Sequence, residues 1–520
     1  MLFTSPVFLF HFLPLFFIVY GAALLIRYAV RKIPAAQYAF PAPGERQGLH
    51  RRLHAALHAA GSFWPGNLVV LLFSLVFYFW GETTHILLLL SIILCDYAFG
   101  LFLAPGATKL NGRKRKILFI ACITINIASI FVFKYAAFAV NSITHLLGID
   151  ATIGHIALPL GISFFVFQAM SYVIDVYRGV VAPNKSLMEF ACYITMFPQL
   201  VAGPIVRYVD IANQLENRGT SLDNLAAGVE RFAFGLAKKI LVANQVAQFA
   251  DVVFAMRPEQ VTPSQAWLGT ICYAIQIYFD FSGYSDMAIG IGKMIGFEFR
   301  ENFRHPYAAI SMQDFWRRWH ISLSTWFRDY LYIPLGGNKK GKGRTYFNLI
   351  VVFLLCGLWH GAALNFILWG GYHGTFLILE RAAKLDFTKH RLLGRVYTLL
   401  AVLFGWLLFR AESFEQITAL AARMCCIDTA SIAGGSEYAW YWFTLDAKLA
   451  LVAGIVLSFP LFDRIQAWAN NQSERADMAA AHRSCFAWET ARIILVAALL
   501  AGCLPLIISD SYNPFIYFRF

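Results

Sequence analysis

Apolar residues in this chain run in long blocks separated by short polar interruptions, most of them basic. A helix needs about 20 apolar residues to cross the ~30 Å hydrocarbon layer of a bilayer. Blocks of that order lie near 7–29, 67–80 extending towards 103, 117–138, 226–254, 264–296, 346–380, 394–410, 446–462 and 490–508. The pattern predicts an all-α polytopic membrane protein with roughly ten to twelve passes and one or two re-entrant pieces. Residues 154–206 break the rhythm with Leu158-Pro159-Leu160-Gly161 and, later, Phe197-Pro198 and Gly203-Pro204. Membranes tolerate such breaks only where protein or water satisfies the freed backbone groups, so broken helices around a funnel or groove are expected there. The chain shows no period of 20–50 residues and no duplicated half, which weakens a transporter reading. Residues 1–520 read as a single integral membrane domain.

Composition agrees: 59% of residues are hydrophobic and 14% charged, against roughly 25% charged in soluble domains. The net charge of +13 does not point to nucleic acid, because the basic residues sit in short loops between apolar blocks. Arg27, Arg31, Lys32, Arg46, Arg51 and Arg52 face one acid, Glu45; Lys109 and Arg113–Lys116 form a second group, and Lys339, Lys340, Lys342 and Arg344 a third. The turns at 81–84 and 139–153 carry acids and neither Lys nor Arg. Under the positive-inside rule this alternation places the N-terminus outside and the basic loops in the cytoplasm. Residues 31–66 form a basic cytoplasmic insertion, where Leu49, Leu53 and Leu57 recur as on a short amphipathic helix lying on the membrane lipids. The first block lacks a basic n-region and its positive charges follow it, so it reads as an uncleaved anchor. Nine cysteines include no CxxC pair, and neither a disulfide framework nor a metal site is expected.

Chemistry concentrates around two histidines. His320 lies in Asp314-Phe-Trp-Arg-Arg-Trp-His-Ile-Ser-Leu-Ser-Thr-Trp-Phe-Arg-Asp329, and His360 in Gly357-Leu-Trp-His-Gly-Ala362. An ionisable group at a lipid-facing helix centre costs at least ~2.5–3.5 kcal/mol. Arg317, Arg318, His320, Arg328 and Asp329 therefore require a protein-enclosed, partly wet cavity. Gly361 beside His360 admits a ligand or another backbone, and a neutral imidazole there can take a proton from a hydroxyl or thiol. The bland reading, two satisfied core histidines, is equally open on the residues alone.

Other motifs favour structure. Asp280 and Asp286, about 120° apart around a helix, do not suit a catalytic dyad; helix-to-helix bonding is favoured over a polar cavity wall or pairing with Arg300, Arg317 or Arg318. Gly290, Gly292 and Gly296 suit close helix packing. Gly336-Gly-Asn-Lys-Lys-Gly-Lys342-Gly343 approaches a phosphate loop but has Gly343 where Ser or Thr should follow, so it reads as a basic turn. His50, His54 and His58 share a face without a carboxylate. His145 and Asp150 lie on the expected outer side with nothing catalytic nearby.

Five stretches resemble the membrane-bound O-acyltransferase superfamily, specifically its bacterial alginate O-acetyltransferase branch. They are Leu158–Arg178, Phe197–Ile205, Tyr278-Phe-Asp-Phe-Ser-Gly-Tyr-Ser-Asp286, Asp314-Phe-Trp-Arg-Arg-Trp-His-Ile-Ser-Leu-Ser324 and Trp359-His-Gly361. Looser similarity at Phe133-Lys-Tyr135 and Asn513–Phe520 extends the likeness over nearly the whole chain. The resemblance implies a ring of tilted helices around a central tunnel with re-entrant segments, and a catalytic core over 154–375. It implies catalytic His360 as the essential histidine and His320 as the second, on the donor side. Trp319, Arg317, Ser322, Asp286 and Trp359 are carried along as candidates for holding donor or substrate. The implied function is O-acetylation of an alginate- or cellulose-like exopolysaccharide across the bacterial inner membrane. Acetyl-coenzyme A or another cytoplasmic acetyl donor serves as substrate, without a bound cofactor and through a periplasmic acetyltransferase partner. The alternatives are a polysaccharide exporter, or a sibling transferase for a long-chain acyl or D-alanyl group.

Overall fold

The computed structural model describes residues 2–32, 63–106, 111–149, 152–154, 156–427, 437–461, 464, 478–509, 512–514 and 516. Most of the 31–66 insertion, with its expected amphipathic helix and His50, His54 and His58, lies outside these residues, as does Asp150. Among the described residues the regular structure is helical throughout. The chain divides into two compact units, Met1–Val229 with Ala288–Phe299, and Glu230–Met287 with Arg300–Phe520.

The first unit holds α1 (Leu13–Lys32), α2 (Trp64–Gly81), α3 (Ile86–Leu103), α4 (Gly112–Ile130), α5 (Ala136–Leu146), α6 (Ile162–Arg178), α7 (Leu187–Thr195), α8 (Phe197–Leu200) and α9 (Tyr208–Glu216). Helix α6 packs on α3, and α2 packs on α7 and α1. The expected break at Pro159–Gly161 is present: Gly161 adopts φ +72° immediately before α6, a conformation that favours a residue without Cβ. Buried Arg218 ties this unit together. It donates to Asn67 Oδ1 at 2.6 Å and to the Ile295 carbonyl at 3.0 Å, with Phe63 and Phe297 rings at 4.2 and 4.1 Å.

Two helices contribute to both units, α10 (Leu222–Ala237) and α12 (Pro263–Met294); between them lies α11 (Asn244–Ala255). Helix α12 starts with a reciprocal cap: Gln265 N–H donates to Thr262 Oγ1 at 3.2 Å and Thr262 N–H to Gln265 Oε1 at 2.9 Å. Such a cap satisfies otherwise orphaned first-turn donors. The second unit continues with α13 (Met312–Trp316), α14 (Ile321–Phe327), α15 (Lys342–His360), α16 (Leu364–Ala382), α17 (Arg391–Arg410), α18 (Phe414–Met424), α19 (Tyr438–Tyr441), α20 (Leu445–Leu457) and α21 (Met478–Ile508).

Six helices among the described residues are long and apolar enough to cross a membrane: Phe8–Ala29, Trp64–Gly81, Ile86–Leu103, Gly112–Leu146, Arg391–Arg410 and Phe486–Ile508. This is fewer than the ten to twelve passes the apolar blocks predict. The long helices α12, α15 and α16 fall short on apolarity, and α12 carries two buried acids. The block at 346–380 is not one element but two. Gly361, extended at φ −170° and ψ 160°, ends α15, and α16 returns against it as a tightly packed hairpin. The backbones meet at Gly357 and Gly370. A Cβ on Gly357 would stand 2.2 Å from the Phe366 carbonyl, and one on Gly370 2.2 Å from the Phe353 carbonyl.

The polar positions on α12 are structural anchors. Asp286 pairs with Arg231 at 2.6 Å and Lys238 at 2.5 Å. Asp280 pairs with buried Lys239 at 2.7 Å and accepts from the Ile516 N–H at 2.8 Å. The cations come from α10 and the π-helical segment Lys238–Ala243 that continues it, rather than from Arg300, Arg317 or Arg318. Gly336–Gly343 joins helix to helix, without the strand a phosphate loop requires. It is closed by Asn348 Nδ2 donating to the Gly337 carbonyl at 3.2 Å.

Candidate active site

His320 is placed by a break in the chain. Helix α13 ends at Trp316, α14 begins at Ile321, and between them His320 takes φ +43° and ψ 54°. That left-handed conformation costs a residue with a Cβ about 1–3 kcal/mol and persists only where the surroundings over-determine it. They do so here. The Ile321 N–H donates to the Asn302 carbonyl at 2.8 Å, and the Arg304 N–H to the Arg318 carbonyl at 2.9 Å. The short α13 is secured at its own start. Its Asp314 N–H donates to Ser311 Oγ at 3.0 Å, while Met312 and Gln313 N–H groups donate to the Glu380 carboxylate at 2.6 and 3.0 Å.

The environment of His320 fixes its tautomer. Asn302 Oδ1 accepts from the Ser322 backbone N–H at 3.2 Å and from Ser322 Oγ at 2.9 Å. A backbone N–H can only donate, so that atom of Asn302 is the oxygen. His320 Nδ1 lies 3.2 Å from the same oxygen and therefore carries the proton, which makes Nε2 the acceptor nitrogen. The Asn302 amide nitrogen donates to Ser285 Oγ on α12 at 3.0 Å. The Phe281 ring meets the imidazole edge to face with centroids 4.7 Å apart.

One indole links the two histidines. Trp359 stands 5.9 Å from His320 and 5.0 Å from His360, centroid to centroid. His360, at the last turn of α15 and 6% exposed, is also walled by Trp369 and Phe409, each 5.1 Å away edge to face. The space beside Gly361 is taken by a ring rather than a backbone: a Cβ there would lie 2.2 Å from Phe366. A cleft of about 630 Å³ opens nearby, lined among others by Trp316, Arg317, Ser324, Phe353, Cys356 and Arg381. Its wall residue Trp316 packs on Trp369 at 5.7 Å, so one ring separates that wall from His360.

The structure thus brings His320, Ser322, Trp359 and His360 together and puts Arg317 on the cleft. Trp319 is buried in an aromatic cluster, 4.8 Å from Trp406 and 5.0 Å from Phe303. Asp286 is held by its own ion pairs. Exposed His145 lies in the first unit. Among the described residues no cluster of three or more His, Cys, Asp or Glu side chains could hold a metal. Sequence reasoning missed Asn302, Glu380 and the buried third histidine, His373. Asn302 left only a weak signal, the polar run Arg300-Glu-Asn-Phe-Arg-His305 at the end of an apolar helix.

A helical membrane protein with a strained, oriented histidine joined through an indole to a second one has the groups a proton-transferring transferase needs. Residues 180–415 match the membrane-bound O-acyltransferase family. The chain is 38% identical over 478 residues to a protein of Azotobacter vinelandii described as "Probable alginate O-acetylase AlgI", covering 87% of this chain and 94% of that one. It is 44% identical over 364 residues to a Pseudomonas putida protein of the same description, covering 69% and 73%. A peptidoglycan O-acetyltransferase of Helicobacter pylori is 33% identical over 464 residues, covering 83% and 81%. The chain belongs to the membrane-bound O-acyltransferase family and is a multi-pass membrane O-acyltransferase.

Proposed function

We propose that this chain transfers acetyl groups from a cytoplasmic thioester donor to hydroxyls destined for an exopolysaccharide, from the bacterial inner membrane and through a periplasmic acetyltransferase partner. The observation carrying this reading is the His320–Trp359–His360 arrangement beside a cleft bearing Arg317. Relatives described as alginate and peptidoglycan O-acetylating proteins support the polysaccharide as the final acceptor. Acetyl-coenzyme A is the natural donor class, because its phosphates suit guanidinium groups.

His360 serves as the general base. It takes the proton of the acceptor hydroxyl as that oxygen attacks the thioester carbonyl. The C–O bond forms, the C–S bond breaks, and the departing thiolate recovers the proton from His360. His320, with Nδ1–H tied to Asn302, takes the donor side, with Arg317 on the cleft wall and Ser322 beside the imidazole as the groups to hold the thioester. The aromatic wall of Trp359, Trp369 and Phe409 keeps bulk water from the reacting carbonyl, favouring transfer over hydrolysis.

Mass spectrometry of groups released by mild base from the exopolysaccharide of wild-type and gene-disrupted cells tests the reading. Acetyl lost on disruption, with polymer yield maintained, supports it. Loss of polymer at unchanged acetylation would instead favour an exporter, and loss of a long-chain acyl or D-alanyl group would favour a sibling transferase.

A further inference from the structure

Cys425 and Cys426 are consecutive, and both are exposed free thiols. Together they close α18. Cys426 takes φ +56°, its N–H donates to the Arg423 carbonyl at 3.1 Å, and the Ile427 N–H donates to the Ala422 carbonyl at 3.0 Å. That pair of bonds is the Schellman ending of a helix, whose left-handed position is commonly glycine because glycine has no Cβ. Here the position carries a thiol, held beside a second one by the turn. The residue before them is fixed as well, since the Met424 carbonyl accepts from Trp267 Nε1 at 2.8 Å. Consecutive Cα atoms stand about 3.8 Å apart, so the two thiols stay within reach of each other.

Charge assigns the side of the membrane. Residues 381–395 hold Arg381, Lys384, Lys389, Arg391 and Arg395 at the start of the spanning helix Arg391–Arg410. Residues 411–446, beyond its other end, hold Arg423 as their one Lys or Arg. Short loops rich in Lys and Arg stay in the cytoplasm, so the turn at 425–426 faces the opposite side. Beyond a bacterial inner membrane lies an oxidising compartment, where disulfides form and persist. A bond between adjacent residues falls below the usual Cα separation of roughly 4.4–6.8 Å, and strained or exposed disulfides are the labile ones. Resting on the inner-membrane location proposed above, we infer that Cys425 and Cys426 are a redox modification site. They close an exchangeable disulfide with each other, made by an oxidised dithiol protein of the extracytoplasmic side. One thiolate of the pair attacks the partner's disulfide, a mixed S–S bond forms and a partner thiolate leaves. The neighbouring thiolate then attacks this chain's sulfur in the mixed disulfide, the bond between 425 and 426 closes, and the second partner thiolate leaves. Two electrons pass to the partner, which departs as a dithiol with the two protons the cysteines give up.

The test quenches cells producing the full chain with acid and treats the unfolded protein with a maleimide before and after reduction. The tryptic peptide 424–448 holds Cys425 and Cys426 and no other cysteine, so its mass reports the pair alone. The inference predicts a peptide two hydrogens lighter than the dithiol, taking no label before reduction and two labels after it. In intact cells given a reductant, a small membrane-impermeant maleimide should label both thiols. In membrane vesicles, reduced glutathione should open the bond and oxidised glutathione should close it again. A dithiol in the quenched cells, a bond to any third cysteine, or a disulfide that reduced glutathione leaves shut would overturn the inference. Labelling that appears only after the cells are broken would overturn the orientation and the inference with it. Acetylation of the polymer is a separate readout: acetyl content unchanged on gene disruption defeats the proposed function, whereas the pair stands or falls on the peptide mass.

Discussion

Asn302 Oδ1 stands 3.2 Å from His320 Nδ1, and the same oxygen accepts from the backbone and hydroxyl of Ser322. One amide therefore sets the tautomer of a histidine whose backbone is already strained. Asn302→Ala leaves the ring free to change tautomer and orientation. The expected result is a kcat lowered about 10–100-fold with KM little altered, less than the roughly 10²–10⁴-fold that a positioned proton-transfer group itself supplies, because the imidazole stays in place. Steady-state kinetics in membrane vesicles, normalised to the amount of folded protein, check this.

The hairpin that carries His360 leaves no room for side chains where its helices cross. In Gly357→Ala the new methyl would stand 2.2 Å from the Phe366 carbonyl, an overpacking that typically costs about 1–3 kcal/mol. The helices must separate, moving Trp359 and His360 relative to Trp369. Thermal unfolding of the detergent-solubilised protein should show a lowered midpoint, and transfer should fall even where the protein is folded.

Lys239 and Asp280 are paired at 2.7 Å with side chains 4% and 1% exposed. Removing one partner strands a buried charge, a change worth about 3–5 kcal/mol. Lys239→Met and Asp280→Asn should each destabilise strongly. The double variant Lys239→Met/Asp280→Leu should recover much of the loss, because neither charge then remains to be buried. Unfolding midpoints of the three proteins decide the matter.

The sequence was most legible where chemistry contradicts its setting. Charged and imidazole groups crowded into 314–329 predict an enclosed polar place; His320 and Ser322 are buried beside Trp359, but Arg317 and Arg328 are exposed and Arg318 and Asp329 half-buried. The helical class followed from apolar blocks alone. What stayed hidden depends on contacts distant along the chain. Asn302 matters because its loop pairs with residues 318–322, and nothing in local spacing shows that pairing. His373 is buried against rings from α13, Phe315 and Trp316, and local spacing does not show those contacts. The division of 346–380 into two helices turned on Gly361, which periodicity reads as a continuation. The acids on α12 hold neighbouring segments, and their partners Arg231, Lys238 and Lys239 lie inside the apolar block 226–254, where local spacing does not show which acid each cation meets.

The central claim is that the His360 imidazole moves the proton in acetyl transfer. Cells producing His360→Ala at wild-type abundance in the membrane provide the most direct measurement, acetyl groups per sugar residue in the secreted polymer by proton NMR. The account predicts a fall to the level of the gene-disrupted strain with polymer yield unchanged. Acetylation at the wild-type level in that variant would contradict it.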